Sequence, residues 1–166
     1  MKKMLLLLLC LSAVFMTSCW DATELSDIGL VIATGFDLDD DGNDRVTVLS
    51  VQPSGNAKEQ GGVSSTWIGT ASGESAFEAL RNLRSISMRR LAWMHNKIVV
   101  IGKKKAESNI GNIIDLLLRH KEIRYDNTIF VTEGTAEELF QVPPDLDKSL
   151  PKELLGIIDV TKEWSK

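Results

Sequence analysis

The sequence predicts an α+β fold, a mixed β-sheet with covering helices, and three observations carry that prediction. Two strand-like runs flank the turn-forming stretch Asp39-Asp40-Asp41-Gly42-Asn43, which reads as a leading hairpin. Strand-like and helix-like segments then alternate through the second half. The length of 166 residues, with 43% hydrophobic content, suits one small domain and one core, plus an extra segment in front.

Taken in order, Asp27 to Phe36 is rich in Ile, Leu and Val and reads as a strand, and Arg45 to Val51 alternates as its hairpin partner. Pro53 to Ser65 is loaded with Gly, Ser, Asn, Gln and Lys and reads as a long exposed loop. Thr66 to Ala71 returns as a short strand. Ser72 can cap a helix from Gly73 to about Leu83, with Ala76, Phe77, Leu80 and Leu83 inward and Arg81 and Arg84 outward. Leu91 to Met94 is apolar and irregular.

Lys97 to Gly102 is a continuous apolar run, Lys97 apart, of the kind buried on both faces, hence a central strand. Asn112 to His120 is a strongly apolar helix lying against the sheet. Thr128 to Thr132 is another strand. Thr135 to Gln141 is a short helix whose Thr135 and Glu138 form a capping box. Pro143-Pro144 ends it, and a last helix, capped by Ser149 with Pro151 in its first turn, runs to about Asp159.

The leading segment, residues 1–18, reads as an export signal. Lys2 and Lys3 supply its positive end, Met4 to Met16 is apolar except for Ser12, and small residues Thr17 and Ser18 close it. A spanning helix needs ~20 apolar residues, and this shorter run meets Trp20-Asp21 with no basic stop-transfer cluster, so cleavage is expected. Loss of Lys2 and Lys3 takes the net charge from −4 to −6. That argues against nucleic acid as a partner and against purely electrostatic membrane binding.

Cys10 leaves with the signal, so Cys19 has no mature partner for an internal disulfide. Met16-Thr17-Ser18-Cys19 resembles the bacterial lipobox, with methionine where leucine is usual. On that resemblance Cys19 becomes the mature N-terminus and carries covalent diacylglycerol and an N-acyl chain, no other cofactor being expected. Two or more chains at ~0.8 kcal/mol per buried CH₂ hold a protein stably at a bilayer.

Several constellations point to chemistry and are set aside. Asp37, Asp39, Asp41 and Gly42 match the opening of a calcium loop, but Val48 stands where a bidentate carboxylate is required, and strands flank it. A solvated hairpin turn is the simpler reading, and no metal site is expected. His95 precedes the central strand and reads as a hydrogen-bonded structural histidine. His120 follows an apolar helix whose C-terminal dipole favours its cation. Arg89, Arg90, Trp93 and Lys97 form one basic stretch, and Lys103, Lys104 and Lys105 a second, both read as solvated element ends sooner than nucleic-acid contacts, with headgroup contact as the alternative. No carboxylate pair sits in an apolar setting suited to acid and base roles, so no enzyme is expected.

The segment CWDATELSDIGLVIATGFDLD resembles the start of the Ger(x)C family, the C subunits of spore germinant receptors, at Cys19, Trp20, Asp21, Glu24, Leu25, Gly35 and Asp37. TASGESAFEALRNL, HNKIVVIGKKKAE and IDLLLRHKEIRYDNTIFVTEGTAEELF resemble later blocks of that family in the same order. The resemblance implies a lipid-anchored, non-catalytic subunit on the outer face of the spore inner membrane. It would assemble with A-type and B-type integral-membrane receptor subunits and couple or scaffold their nutrient sensing.

Family members run to three domains, so residues 19–166 are expected to be the N-terminal domain, apparently truncated. The partner-contact candidates are Trp20, Asp21, Glu24, Leu25, His95 and Lys97, with Trp20 suited to interfacial depth. The rivals are a free-standing solute-binding lipoprotein and a lipoprotein associated with the cell wall.

The Cys19→Ala chain is expected to lose fatty-acid labelling and to leave the membrane fraction. Retention in the membrane with undiminished labelling would contradict the anchor.

Overall fold

A computed structural model describes residues 2–4, 27–52, 66–143, 150–151 and 153–156. β1 (Ile28–Leu38) and β2 (Asp44–Val51) form the expected hairpin, antiparallel from Leu38↔Asp44 back to Leu30↔Val51, with one register shift between Val31 and Ala33. Asp39 builds its turn: Oδ1 accepts the amide N–H groups of Asp41 (3.1 Å) and Asn43 (2.8 Å). Gly42 takes φ +85°, the left-handed region that glycine enters without cost.

β3 (Thr66–Gly73) pairs antiparallel with β2, which makes it parallel to β1. α1 (Ala76–Ile86) runs back along the sheet to β4 (Arg90–Ala92), a short strand parallel to the start of β1. A 3-10 turn at Trp93–His95 leads into β5 (Ile98–Gly102), also parallel to β1. α2 (Lys103–Arg119) returns to β6 (Thr128–Thr132), parallel to β5, and α3 (Ala136–Gln141) follows. The sheet order is β3-β2-β1-β5-β6, with β4 beside β1.

Helices cover both faces. On one, Val31, Phe36, Val46, Val48, Val99 and Ile101 meet Ala79, Leu80 and Leu83 of α1 and Ile113 and Leu117 of α2. On the other, Ala33, Leu49, Ile98 and Val100 meet Ala136 and Phe140 of α3 and Leu150. All five residues of β5 are buried, as its unbroken apolar run predicts. The mixed sheet with covering helices, the hairpin, β6 and the capping box of α3 all stand as expected.

Other elements correct the sequence reading. β3 continues through Gly73, so α1 begins at Ala76 under Ser75, whose side chain accepts the Glu78 N–H, and not under Ser72. Phe77 is 64% exposed; the inward stripe is Ala76, Ala79, Leu80 and Leu83. Small residues at 76 and 79 bring this helix close to the sheet, and a methyl at Gly73 would press on the Ala79 amide nitrogen. Leu91 is not irregular but lies in β4.

α2 starts at Lys103, well before Asn112. It bends at Asn109 (φ −161°, ψ 83°), whose Oδ1 accepts the Asn112 N–H at 3.3 Å and re-caps the apolar half. Lys103 to Lys105 therefore open a helix. Pro53 to Ser65, Ser149 and Asp159 lie outside the described residues, while residues 150–151 and 153–156 are helical.

Leu83→Ala is expected to cost about 2–5 kcal/mol of unfolding free energy, and Phe77→Ser to stay within about 0.5 kcal/mol of the parent. Urea titration measures both, and comparable losses would place Phe77 in the core.

Candidate functional site

The candidates at Cys19, Trp20, Asp21, Glu24 and Leu25 lie outside the described residues. His95 and Lys97 are described, and both are exposed on either side of a buried Asn96. Asn96 Oδ1 accepts the Thr34 hydroxyl at 2.9 Å, and its Nδ2 donates to Asn127 Oδ1 at 2.7 Å. The backbone is fixed as well: Lys97 N–H donates to the Ile32 carbonyl and Thr128 N–H to the Lys97 carbonyl. A turn pinned to β1 and β6 thus holds an imidazole and an ammonium outward, with Lys97 Nζ 3.3 Å from Asp126. It can offer polar and charged contacts to a partner without rearranging.

Trp93, part of the supposed solvated basic stretch, is fully buried. The Arg84 guanidinium lies 5.0 Å from its ring centroid, and the His120 ring stands beside it at 5.6 Å with the planes tilted by 58°. Burial, joined by the Arg84 charge, lowers the His120 pKa, and its Nδ1 accepts the Glu122 N–H at 3.4 Å. His120 caps α2 through its backbone but is held towards the neutral form, contrary to the cation expected at a helix C-terminus.

The second polar cluster sits where β1 and β5 end and was not foreseen. Asp37, expected in a solvated setting, is 2% exposed, and both carboxylate oxygens accept the Ala136 N–H at 3.0 Å. Gly35 below it leaves room for Ala136, whose Cβ a methyl there would overlap, and Gly102 leaves room for the Asp37 carboxylate. The start of α2 and the start of α3 both converge on this side chain. In open α/β sheets, helix starts at strand ends form an anion site. Here the chain's own carboxylate occupies that position.

Burial raises the Asp37 pKa above 3.8, opposed by the Ala136 and Glu137 amides and by Arg45. At the same end of the sheet, Lys105 pairs with Asp44, both buried, against the reading of Lys103 to Lys105 as a solvated run. Removing one partner of such a pair generally costs about 3–5 kcal/mol. Lys103 instead reaches the exposed Glu133 at 2.6 Å. The sequence signal for this cluster was slight: Asp37 interrupts an apolar run, and Lys105 stands one residue before Ala106 on an otherwise polar turn.

Residues 21–166 match the family model described as the spore germination protein N-terminal domain. The chain is 31% identical over 160 residues to the putative spore germination protein YfkR of Bacillus subtilis (strain 168), covering 93% of this chain and 40% of the relative. It is 29% identical over 171 residues to spore germination protein KC of that organism, covering 97% and 41%. Spore germination protein A3 is 23% identical over 143 residues, with 84% and 38% covered. The chain thus spans roughly two fifths of the length of the curated relatives it matches, 40% and 41% for the first two. No solved structure matches it. Among the described residues no helix is long and apolar enough to cross a membrane.

The Asp37 proton has a worked pH signature. With the folded pKa above 3.8, the folded chain keeps this proton to higher pH than the unfolded chain. The group's contribution to stability is present at acid pH and lost as pH rises through the folded value. The Asp37→Asn chain has no such titration, so its stability relative to the parent is expected to rise with pH across that window. Denaturant unfolding at a series of pH values measures the difference, and a flat or falling difference would contradict the assignment.

Proposed function

Because the chain belongs to the Ger(x)C family of spore germination proteins and carries its N-terminal domain, we propose that it serves as a lipid-anchored, non-catalytic subunit of a spore germinant receptor. The observation that carries the proposal is the family match from residue 21 to 166, which begins two residues after Cys19. The domain follows directly on the cysteine that the lipobox resemblance singles out. In this reading diacylglycerol and an N-acyl chain on Cys19 hold the protein to the outer face of the spore inner membrane. Integral-membrane A-type and B-type subunits are its partners, and it couples or scaffolds their response to nutrients.

The geometry supports contact with a partner through the His95–Lys97 turn, because Asn96 fixes the turn and leaves both flanking side chains outward. Trp20, Asp21, Glu24 and Leu25 extend the proposed contact towards the anchor. The buried Asp37 and the Lys105–Asp44 pair belong to the internal frame, since their polar atoms are spent on other parts of the same chain.

Deleting the gene is expected to abolish germination triggered by the cognate nutrient while leaving chemical triggers effective. His95→Ala and Glu24→Ala are expected to reduce the amount of A-type and B-type subunit recovered with the protein from spore membranes. Unchanged recovery in both variants would remove these residues from the interface, and nutrient germination that survives deletion would overturn the receptor role.

A further inference from the structure

The strand directions give this domain two unlike ends. β1, β3 and β4 begin at one end, β5 and β6 run in the same direction from the level of Ala33, and α1 and α2 run back towards that end. At this end lie the α1–β4 link, the α2–β6 link and Asp27, where the chain arrives from Cys19.

This end also exposes large apolar side chains. Met88 is fully exposed at 103%, Tyr125 is 81% exposed, Ile86 56% and Trp67 37%. Trp67, Ile86 and Met88 rim a cleft of about 210 Å³ whose floor includes Gly29, Ser50 and Leu91. Small residues at 29 and 50 leave it open, and a methyl on Gly29 would already stand 3.3 Å from Leu91 Cδ2. Trp67 belongs to the edge strand β3 and Tyr125 precedes the opposite edge strand β6, so the apolar groups span the sheet's width.

Charge is segregated along the same axis. Among the described residues this end carries Arg84, Arg89, Arg90, Lys97, Arg119, Lys121 and Arg124 against Asp27, Asp115, Glu122 and Asp126. Asp126 is shared between Lys97 at 3.3 Å and Arg124 at 3.0 Å. The far end carries Asp37, Asp39, Asp40, Asp41, Asp44, Glu74, Glu78, Glu133, Glu137 and Glu138 against Arg45 and three lysines, one of them the buried Lys105 paired with Asp44. β1, with 11 residues, separates the two by about 36 Å at ~3.3 Å per residue. The Debye length in physiological salt is about 8 Å, so an anionic surface at the basic end does not feel the acidic end.

We infer that the end where the parallel strands begin seats on an anionic phospholipid surface, with Met88, Ile86, Trp67 and Tyr125 at headgroup depth and Arg90 and its neighbours facing the phosphates. Trp and Tyr suit that depth, and clustered arginines suit anionic headgroups. The seat deepens the anchoring proposed above and rests on it for its direction. Cys19 is eight residues ahead of Asp27, a reach of at most about 29 Å, so the acyl chains enter the bilayer beside this end. Among the described residues the acidic excess sits at the other pole.

The test uses the full-length, exported and acylated protein bearing Met88→Cys, labelled with an environment-sensitive fluorophore and reconstituted into vesicles. In vesicles of phosphatidylglycerol with phosphatidylethanolamine, iodide quenching of the label is expected to fall several-fold relative to the protein in detergent. Adding Arg90→Glu is expected to restore most of the quenching, and an Asp40→Cys label is expected to show no protection. Equal quenching at position 88 in vesicles and detergent would overturn the seat. So would protection that arises only in native membranes holding the integral subunits, which would assign this end to a protein partner. Absence of fatty-acid labelling would sink the anchor alone; the same probe in the Cys19→Ala background, with vesicles added, then decides the seat by the same outcomes.

Discussion

One buried carboxylate ties the layers of this fold together. Asp37 ends the central strand, accepts the first amide of α3, and lies in the space that Gly102 leaves at the start of α2. Three elements distant in sequence meet at a single side chain, and each neighbour is shaped for it. Gly35 admits Ala136, Gly102 admits the carboxylate, and Ala136 is small enough to be fully buried beneath. A carboxylate is suited to this place because the start of α3 supplies amide donors and positive dipole that partly offset its desolvation. At the same end of the sheet the Asp44–Lys105 pair fastens the start of β2 to α2.

That frame explains which parts of the fold could be read from the chain. Segments that carry their own information were legible: the Asp39 turn has its acceptor and its glycine, β5 its unbroken apolar run, and α3 both members of its capping box. The segments that misled draw their stability from distant partners. The first half of α2 looks like a solvated lysine run because Lys105 finds Asp44 only after the sheet forms, 61 residues apart in sequence. Ser72 seemed a cap because pairing of Gly73 with Asp44, which keeps β3 extended, is invisible locally. Phe77 seemed inward because size was read as burial, whereas two alanines set the approach of α1 to the sheet.

The candidate site shows the same division. His95 and Lys97 could be named from their position before a buried strand, but not the reason they point outward, which is the Asn96 bridge between Thr34 and Asn127. The polar residues that matter for the frame, Asp37, Asp44 and Asn96, are single letters within or beside apolar runs. Their importance arises from contacts that periodicity does not encode. Sequence blocks carried the family where local chemistry could not, because four ordered segments constrain a chain more than any one side chain does.

The two ends of the sheet divide the work of the domain. At the end where β1 and β5 finish, polar side chains are consumed internally: Asp37 by α3, Lys105 by Asp44, Glu138 by the Thr135 cap. An end so satisfied has little to offer a ligand and is built to stay closed. At the opposite end the helices finish, their C-terminal dipoles favour basic residues, and a cleft stays open over Gly29 and Ser50. The β-α-β connections that fix strand direction therefore also fix at which end the helices finish and basic residues gather. The tether proposed at Cys19 would present that second end to the surface that holds it. Topology, by setting which end the helices leave, sets which end can face outward.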